Sequence, residues 1–482
     1  RKRLMAAVLA AALMLPVAAG SGRAYAADAG QEISSFQFTY PLEHSFEEIN
    51  QYYAEHPYDT SLADEYDIIP DIANEELNAK IDAGELNLWQ NTELQNKLGG
   101  RLSDKTLNNA LNATNYIRYV AGVQLLTIHT ADGIGGRQGR AQLGAALLAE
   151  LGQMTHNVSK TDALAAGIVN GVYGWAKAGP GGSNCVAGNG VANKMVNSFM
   201  PDVGNDGRGL SHRSYMLNPQ IASTGFGAAN LSGTNKAGNR RGSAVTMYVT
   251  FYDADPYGIN AVMWPSRRQP IENFQARGSW TMKYPEGNPY QGNPWSFFFN
   301  TGSVDKTTLK VTLECDGKPT EVLELSQLTD TQKKEKRLFT SSSNPLRNLI
   351  AWRPTSAYGP GDKVSVTIEG IKDTQGLPVP VSYDVHFFQT GTTPYPNLES
   401  GTAGRAAEDQ AELGFASDYA GTIRYLVMDA EQPEPSADEV LNGTELAVSA
   451  GEQQLDLTGL SGNGAKKLYY ITVSTTGAGK DY

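Results

Sequence analysis

The chain has 482 residues and a formal charge of −12; 40% of its residues are hydrophobic and 19% are charged. This length accommodates about three domains, and the composition suits folded domains rather than a disordered chain. The negative charge argues against nucleic acid as a partner, because phosphates would meet a like-charged surface.

The first 26 residues predict a secretory signal peptide. Residues 1–3 are basic, residues 4–19 are almost wholly apolar, and residues 24–26 match the small-x-small pattern of a cleavage site. The apolar run is shorter than the roughly 20 residues that span a bilayer, so we expect export with cleavage rather than a membrane anchor. Cleavage would remove four bases and no acid, which takes the charge from −12 to −16. We expect no transmembrane segment after cleavage.

Residues 27–102 are acidic and irregular in pattern, and we interpret them as a leader that packs against the next domain. Apolar residues then recur at helical spacing between Asp104, the expected N-cap, and Gly122, and again between Leu143 and Met154. Further helical patterns cover residues 161–178 and 192–199, and residues 245–251 alternate as a strand does. Helices followed by strands, without regular β-α-β alternation, predict an α+β domain over residues 103–260.

Beyond residue 260 the pattern indicates β structure. Strand-like alternation occurs in residues 309–313, 364–368, 381–387, 422–428, 455–457 and 468–473. The first three segments predict an immunoglobulin-like β-sandwich over residues 261–392. After a linker rich in Thr and Pro at residues 391–396, the last three predict a second β-sandwich module over residues 393–482, which resembles a fibronectin type III module cut short. A cell-wall anchor, if the protein has one, would lie beyond Tyr482.

The chain has only two cysteines, Cys185 and Cys315, and they fall in different predicted domains. Two cysteines cannot build a disulfide framework, even in an exported protein. One bridge between the domains and two free thiols both remain open, and buried thiols would act as small apolar groups.

Self-contained catalytic motifs are missing from the sequence: it has no Gly-x-Ser-x-Gly, His-Glu-x-x-His or Cys-x-x-Cys. The segment 133–138 begins like a dinucleotide loop, but Gln138 stands where the third glycine belongs. Residues 202–207 begin like a calcium loop, but Arg213 stands where the bidentate glutamate is needed. We therefore expect neither segment to be a site.

Two histidines are the candidate site residues. His156 follows the second predicted helix, and His212 lies within Ser211-His212-Arg213. Neutral imidazole is a good zinc ligand, but two ligands are too few for a tight structural site. The pattern therefore allows a weakly bound divalent metal such as zinc, completed by water. The alternative for each histidine is a structural or merely exposed side chain.

Several segments together resemble the CAP superfamily (cysteine-rich secretory protein, antigen 5 and pathogenesis-related proteins, also called the SCP domain), in its bacterial secreted form. The similar segments are Asn115-Tyr116-Ile117-Arg118, Ala121-Gly122, His156, Gly182-Ser183-Asn184, Ser211-His212-Arg213, Leu217-Asn218-Pro219 and Thr224-Gly225-Phe226-Gly227. The resemblance covers residues 103–255. It implies a three-layer α-β-α sandwich with a cleft that holds two histidines and usually two glutamates.

The resemblance implies a ligand cleft with six members: His156, Asn157, Ser183, Asn184, His212 and Arg213. His156 and His212 would be the metal ligands. Ser183 stands in place of the first glutamate, and Asn197-Ser198 offers no acid for the second. Because acid–base catalysis needs such groups, we expect binding rather than hydrolysis and assign no catalytic residue.

The sequence thus predicts a secreted or cell-surface protein of Gram-positive bacterial type. Its CAP domain would act as an extracellular binding module, with β-sandwich modules as spacers. The ligand classes left open are lipid, peptide and cell-wall glycan. Two alternatives remain: a metal-assisted hydrolase acting on peptide or cell-wall material, and a structural adhesin with an inert cleft.

Overall fold

The structure is a computed structural model that describes residues 33–129, 136–202, 205, 208–250, 253, 255–274, 293–343, 345–391, 396, 398–417, 421–449, 451–461 and 464–473. The predicted signal peptide, half of the dinucleotide-like segment 133–138, most of the calcium-like segment 202–207 and most of the linker 391–396 lie outside these residues. The described chain mixes helices and strands, as the α+β prediction requires.

The N-terminal segment, residues 33–102, contains more regular structure than its irregular pattern suggested. Its elements are α1 (Phe46–Glu55), β1 (Tyr66–Ile68), α2 (Glu75–Asp82), a 3₁₀ helix (Leu88–Gln90), α3 (Thr92–Gly99) and β2 (Arg101–Leu102). Local capping explains the first helix, because Ser45 and Glu48 form a reciprocal capping box at its start. Asn74 and Asn91 cap α2 and α3 in a similar way with their side-chain oxygens.

This segment packs against the residues that follow it. Phe46 and Ile49 of α1 are buried in the same apolar core as Tyr116 and Ile117. The backbone N–H of Leu42 donates to the carbonyl of Gly122 at 3.0 Å. The apolar face of α1 is thus buried in a shared core, in which the ring of Phe46 lies 4.8 Å from that of Phe388.

The α+β unit follows, over residues 103–250. Its elements are α4 (Asp104–Val120), β3 (Thr127–Ile128), α5 (Arg137–Leu151), α6 (Lys160–Ala165), α7 (Asn170–Ala176), α8 (Ala178–Gly181), β4 (Ser183–Ala187), α9 (Val191–Lys194), a π-helix (Met195–Phe199), α10 (Ser211–Met216), β5 (Ser223–Thr224), β6 (Phe226–Asn230) and β7 (Ser243–Tyr248).

Several helices differ in their bounds from the sequence-based expectation, and two of the differences have a local cause. Ser103, not Asp104, caps α4 by accepting the N–H of Thr106. The helix expected over residues 161–178 is divided into α6, α7 and α8. The division begins at Gly167, whose φ of +95° lies in the left-handed region and ends α6.

The sheet of this unit is antiparallel, in the order β4-β7-β6. Alternate residues of β7 face opposite sides. The hydroxyl of Thr246 donates to the Ala141 carbonyl of α5 at 2.8 Å. Val245 and Met247 instead belong to the core that contains Ile117 of α4. Helix α5 therefore packs on one face of the sheet, and the other face contributes to the apolar core that also contains α4.

Two larger sheets follow, over residues 255–391. The elements are β8 (Ala261–Trp264), β9 (Arg268–Pro270), a 3₁₀ helix (Ile271–Asn273), β10 (Trp295–Phe299), β11 (Ser303–Val304), β12 (Lys310–Cys315), β13 (Glu321–Glu324), a 3₁₀ helix (Leu325–Gln327), α11 (Asp330–Lys334), β14 (Leu338–Ser343), β15 (Arg347–Trp352), β16 (Lys363–Glu369), β17 (Ile371–Lys372) and β18 (Val381–Phe388). One sheet has the order β14-β15-β10-β8 and the other β13-β12-β16-β18-β9, while β11 pairs with β17.

Aromatic side chains join these two sheets. The ring centroids of Trp295 in the first sheet and Phe387 in the second are 5.7 Å apart, and those of Phe297 and Tyr383 are 6.4 Å apart. All four side chains belong to the same core as α4 and β7. The α+β unit and these sheets therefore share one apolar interior.

The last unit has a smaller core around Phe415, Ile423 and Val448. Its elements are β19 (Leu398–Ala407), β20 (Gln410–Ser417), β21 (Gly421–Asp429), α12 (Ala437–Leu441), β22 (Thr444–Val448), β23 (Gly451–Thr458) and β24 (Lys466–Val473). They form two three-stranded sheets, β19-β20-β23 and β22-β21-β24. Among the described residues of the whole chain, no helix has the length and apolar character to cross a membrane.

The contact between Leu42 and Gly122 yields a stability prediction. A Cβ on Gly122, which has φ +69°, would lie 1.8 Å from the carbonyl oxygen of Leu42. Gly122→Ala should therefore lower the free energy of unfolding by about 3 kcal/mol or more, measured by urea denaturation. Gly233→Ala is the matched control, because Gly233 has φ +81° but nothing within 4 Å of its Cβ position. The control should cost only about 1–2 kcal/mol, the backbone strain alone. Equal losses would contradict the packing of the N-terminal segment on α4.

Candidate functional site

His156 lies on the surface after the end of α5. Its Nδ1 is 2.8 Å from the carbonyl oxygen of Pro180. A carbonyl oxygen can only accept a hydrogen bond, so Nδ1 must carry the proton. In the neutral ring, Nε2 then keeps its lone pair for a ligand.

His212 lies in the first turn of α10 and is mostly buried. Its Nδ1 is 2.9 Å from Oδ1 of Asp202 and 2.9 Å from the amide nitrogen of Asn205. The two contacts require opposite states of Nδ1: the Asp202 carboxylate needs a hydrogen there, whereas the NH₂ group of Asn205 needs a lone pair. Asn205 already donates to the same carboxylate oxygen at 2.6 Å, and a hydrogen bond to a carboxylate is the stronger of the two, so we assign the hydrogen to Nδ1. His212 therefore has the same tautomer as His156, with its lone pair on Nε2.

Asp202 is an acidic partner that the sequence analysis missed. It is 1% exposed, and its second carboxylate oxygen accepts the backbone N–H of Arg213 at 3.2 Å. Its φ of +52° is a left-handed conformation that is uncommon for a residue other than glycine. A signal for this role was present, because Asp202 lies in the segment that begins like a calcium loop, ten residues before His212.

The segment from Pro180 to Asn184 forms hydrogen bonds with both His156 and His212. Pro180 accepts the ring proton of His156, and the amide of Asn184 donates to the backbone carbonyl of His212 at 3.0 Å. Asn184 is 2% exposed and pairs with Met247 in the central strand β7. The sheet thus gives the predicted residues Asn184 and His212 a shared rigid support.

Ser183 and Asn157 differ in their surroundings. Ser183 is buried, and its hydroxyl has no hydrogen-bond partner within the part of the chain that the structure describes. Buried hydroxyls are normally paired, so this group is suited to a bound water or ligand atom. Asn157 is exposed, and its backbone N–H donates to Oγ1 of Thr155 at 3.1 Å.

Arg213 points into the protein interior. Its guanidinium donates to the carbonyls of Met200, Pro201 and Pro294 and to the hydroxyl of Ser296. The residue is fully buried. All these bonds lie within the protein interior, and they hold the backbone next to His212 in place. We therefore assign Arg213 a structural role in supporting His212.

Cys185 shares a hydrogen-bond acceptor with His156. Its thiol lies 3.8 Å from the Pro180 carbonyl and 3.5 Å from that of Ser183. Burial raises the pKa of this thiol to about 12, and burial also raises the pKa of the Cys315 thiol, to about 11. Both cysteines are free in the structure.

The two rings have the donor chemistry of metal ligands. A histidine that binds a metal through one ring nitrogen normally donates from the other to a carbonyl or carboxylate, as His156 and His212 do here. Across the described residues, no three side chains of His, Cys, Asp or Glu group together as metal ligands. The residues therefore fit, at most, a weak zinc site with two protein ligands, and zinc binding stays a prediction.

No protein-family model matches this chain, and no curated protein sequence matches it. The resemblance to the CAP superfamily therefore depends on the segments quoted above and on the arrangement of the residues they contain.

Asp202→Asn should allow His212 to adopt both neutral tautomers. Asparagine keeps the shape of aspartate but presents one oxygen and one NH₂ group, so it no longer requires a proton on Nδ1. Long-range proton–nitrogen correlation spectra should show unprotonated Nε2 in the unchanged protein and a mixture of tautomers in the variant. The free energy of unfolding should fall by about 1–3 kcal/mol. Asp162→Asn, at an exposed acid in α6, is the control, and an unchanged His212 spectrum in Asp202→Asn would contradict the assignment.

Neither thiol should react with iodoacetamide in the folded protein at about pH 8, because only the thiolate is nucleophilic. With a pKa of about 11 or higher, about one thiol in a thousand or fewer is ionised there. Labelling counted by mass spectrometry should rise as the pH approaches 11, and both cysteines should be labelled in urea. Rapid labelling of Cys185 in the folded state would contradict its burial.

Proposed function

We propose that residues 103–260 form a CAP-type domain of an exported protein, and that a cleft between His156 and His212 binds an extracellular ligand. The layered arrangement supports this proposal. α5 packs on one face of the sheet β4-β7-β6, and α4 belongs to the core on the other face. This placement supports the α-β-α order of layers that the resemblance implies.

One observation carries the proposal: both histidines are anchored through Nδ1 and keep Nε2 for a ligand. Structural histidines commonly use both ring nitrogens within the protein. Here a carbonyl fixes one ring and a buried carboxylate fixes the other, while both regions are tied to residues 180–184. Such support is typical of rings that must present a lone pair in a defined direction.

The chemistry of the cleft favours a ligand with hydrogen-bond donors. Two imidazole lone pairs accept hydrogen bonds, and the unpaired Ser183 hydroxyl can donate or accept. Hydroxyl and amide groups of peptide, glycan or lipid headgroups meet these requirements. A weakly bound zinc ion could use the same two lone pairs, with water completing its coordination.

The β regions are proposed as an immunoglobulin-like sandwich and a second, fibronectin-like module. Aromatic contacts between the first two sheets support the sandwich. Arg213 connects the site to this region through Pro294 and Ser296. The first β module is therefore proposed to support the cleft as well as to act as a spacer.

The pair Asp202–His212 favours a second candidate function, a metal-assisted hydrolase of peptide or cell-wall material. A buried carboxylate that holds Nδ1–H of a histidine is the arrangement that orients a general base. Ser183 argues for binding instead, since it stands where the resemblance implies a glutamate. Binding therefore remains the first proposal.

The metal component is tested by calorimetric titration of the full chain with zinc. We expect weak binding that falls at least about tenfold in His156→Ala and in His212→Ala, because each removes one of two ligands. His56→Ala is the matched control, since His56 is exposed, lies against Tyr52 and is not one of the predicted cleft residues. The full chain is required because Arg213 depends on Pro294 and Ser296. Heats that are unchanged in both site variants would eliminate the metal.

The same variants distinguish the functional classes. The full chain is incubated with peptides, peptidoglycan fragments and lipid vesicles, with and without EDTA. Binding that survives EDTA, produces no turnover and is lost in His212→Ala supports the binding module. EDTA-sensitive turnover would establish the hydrolase instead. No binding and no turnover with any probe would leave the structural adhesin and overturn the proposal.

A further inference from the structure

A separate cavity of about 320 Å³ lies where α1 and the residues after it meet the 3₁₀ helix Ile271–Asn273 and the π-helix Met195–Phe199. The side chains used in the argument below are Tyr53, Tyr58, Asp59, Asn197, Glu272 and Asn273. Its volume is at the lower end of the range for sites that bind small molecules. None of the six predicted cleft residues lines it, although Asn197, which stands where the resemblance implies the second glutamate, does.

Asn273 is the feature that points to a ligand. The side chain is 7% exposed, and its Oδ1 accepts the hydroxyl of Tyr58 at 3.0 Å. Its Nδ2 is buried and has no partner among the residues that the structure describes. A buried amide without an acceptor is unfavourable, so the cavity needs an occupant that supplies one.

The charges of the lining restrict the class of occupant. Asp59 and Glu272 contribute carboxylates, and no Lys, Arg or His is among the described residues that line it. An anion would therefore be repelled. An ammonium ion would suit the carboxylates but offers no acceptor to Asn273, since it has only donors. The remaining class is a neutral occupant whose groups both donate and accept, which is the chemistry of water and of organic hydroxyls.

The aromatic side chains suit the apolar faces of such a ligand. The rings of Tyr53 and Tyr58 meet edge to face with centroids 5.7 Å apart, and both pack on Tyr116, at 5.1 and 5.7 Å. Tyrosine combines an apolar ring with a polar tip. A sugar ring has C–H groups that pack on aromatic carbon and hydroxyls that bond to amides and carboxylates.

We propose that this cavity is a binding site for a neutral saccharide, distinct from the histidine cleft. Asn273 donates to a sugar oxygen, and the carboxylates of Asp59 and Glu272 accept from hydroxyls. Glu272 is held for this by Thr390, whose N–H donates to its Oε1 at 2.9 Å. The proposal goes beyond the function proposed above, because it uses none of the same residues.

The test is saturation-transfer NMR on the full chain with cellobiose, N,N′-diacetylchitobiose and maltose. Spermidine and citrate serve as a cationic and an anionic probe. We expect saccharide binding with a millimolar dissociation constant, weakened at least about tenfold by Asn197→Trp, which fills the cavity from its half-buried edge. The same substitution at the exposed Asn230 is the matched control and should leave binding unchanged.

A second variant, Asn273→Leu, removes the amide donor and should also abolish saccharide binding; thermal melting identifies which variants are folded. Three results would overturn the proposal. The first is that no saccharide gives a signal with the unchanged protein, and the second is that saccharide binding persists in Asn197→Trp or in Asn273→Leu. The third is that only spermidine or citrate binds, and that Asn197→Trp removes this binding. His156→Ala should not affect saccharide binding at this cavity. Failure of the saccharide proposal can therefore be distinguished from failure of the proposed histidine cleft.

Discussion

The buried guanidinium of Arg213 is the interaction on which the candidate site depends. A charge removed from water is tolerated only when its donors are paired, and breaking such an arrangement typically costs about 3–5 kcal/mol. The acceptors here come from two parts of the chain: Met200 and Pro201 precede α10, whereas Pro294 and Ser296 belong to the β region. His212 is the adjacent residue, and Asp202 bonds to both His212 and the Arg213 backbone. The position of the histidine therefore depends on the association of the α+β unit with the first β sheet.

Arg118 is a second buried arginine whose donors are paired with backbone carbonyls, at the other end of α10. Its guanidinium, also fully buried, donates to the carbonyls of Gln124, Met216, Asn218 and Ile221. Two buried arginines thus fix α10 from its first and last turns. His156 has a different kind of support, a single hydrogen bond to Pro180 from an exposed position. The two candidate rings therefore differ: His212 is held in a mostly buried position, whereas His156 is exposed to solvent.

Local patterns predicted the elements with strong periodicity, such as α4 and the strands β16 and β18, because their apolar residues recur at the spacing that burial requires. The short helices before residue 100 were not predicted, because they contain few apolar residues at helical spacing. The pair Ser45 and Glu48 is nevertheless a recognisable signal for the start of the first one. Asp202 was marked only by its place in the calcium-like segment 202–207, because spacing alone does not show that it contacts His212, ten residues later. The acceptors of Arg213 were beyond sequence reasoning, because backbone carbonyls such as that of Pro294 carry no signal in the residue type.

The central claim is that His156 and His212 present their Nε2 atoms to one ligand. It is tested most directly by counting the imidazoles that coordinate a single Cu²⁺ ion added to the full chain, using pulsed electron paramagnetic resonance. Cu²⁺ binds imidazole nitrogen more strongly than zinc does, so it reports even a weak pair of ligands. The account predicts two imidazoles in the unchanged protein and one when either histidine is replaced by alanine. A spectrum with a single imidazole in the unchanged protein, or one that neither replacement alters, would contradict it.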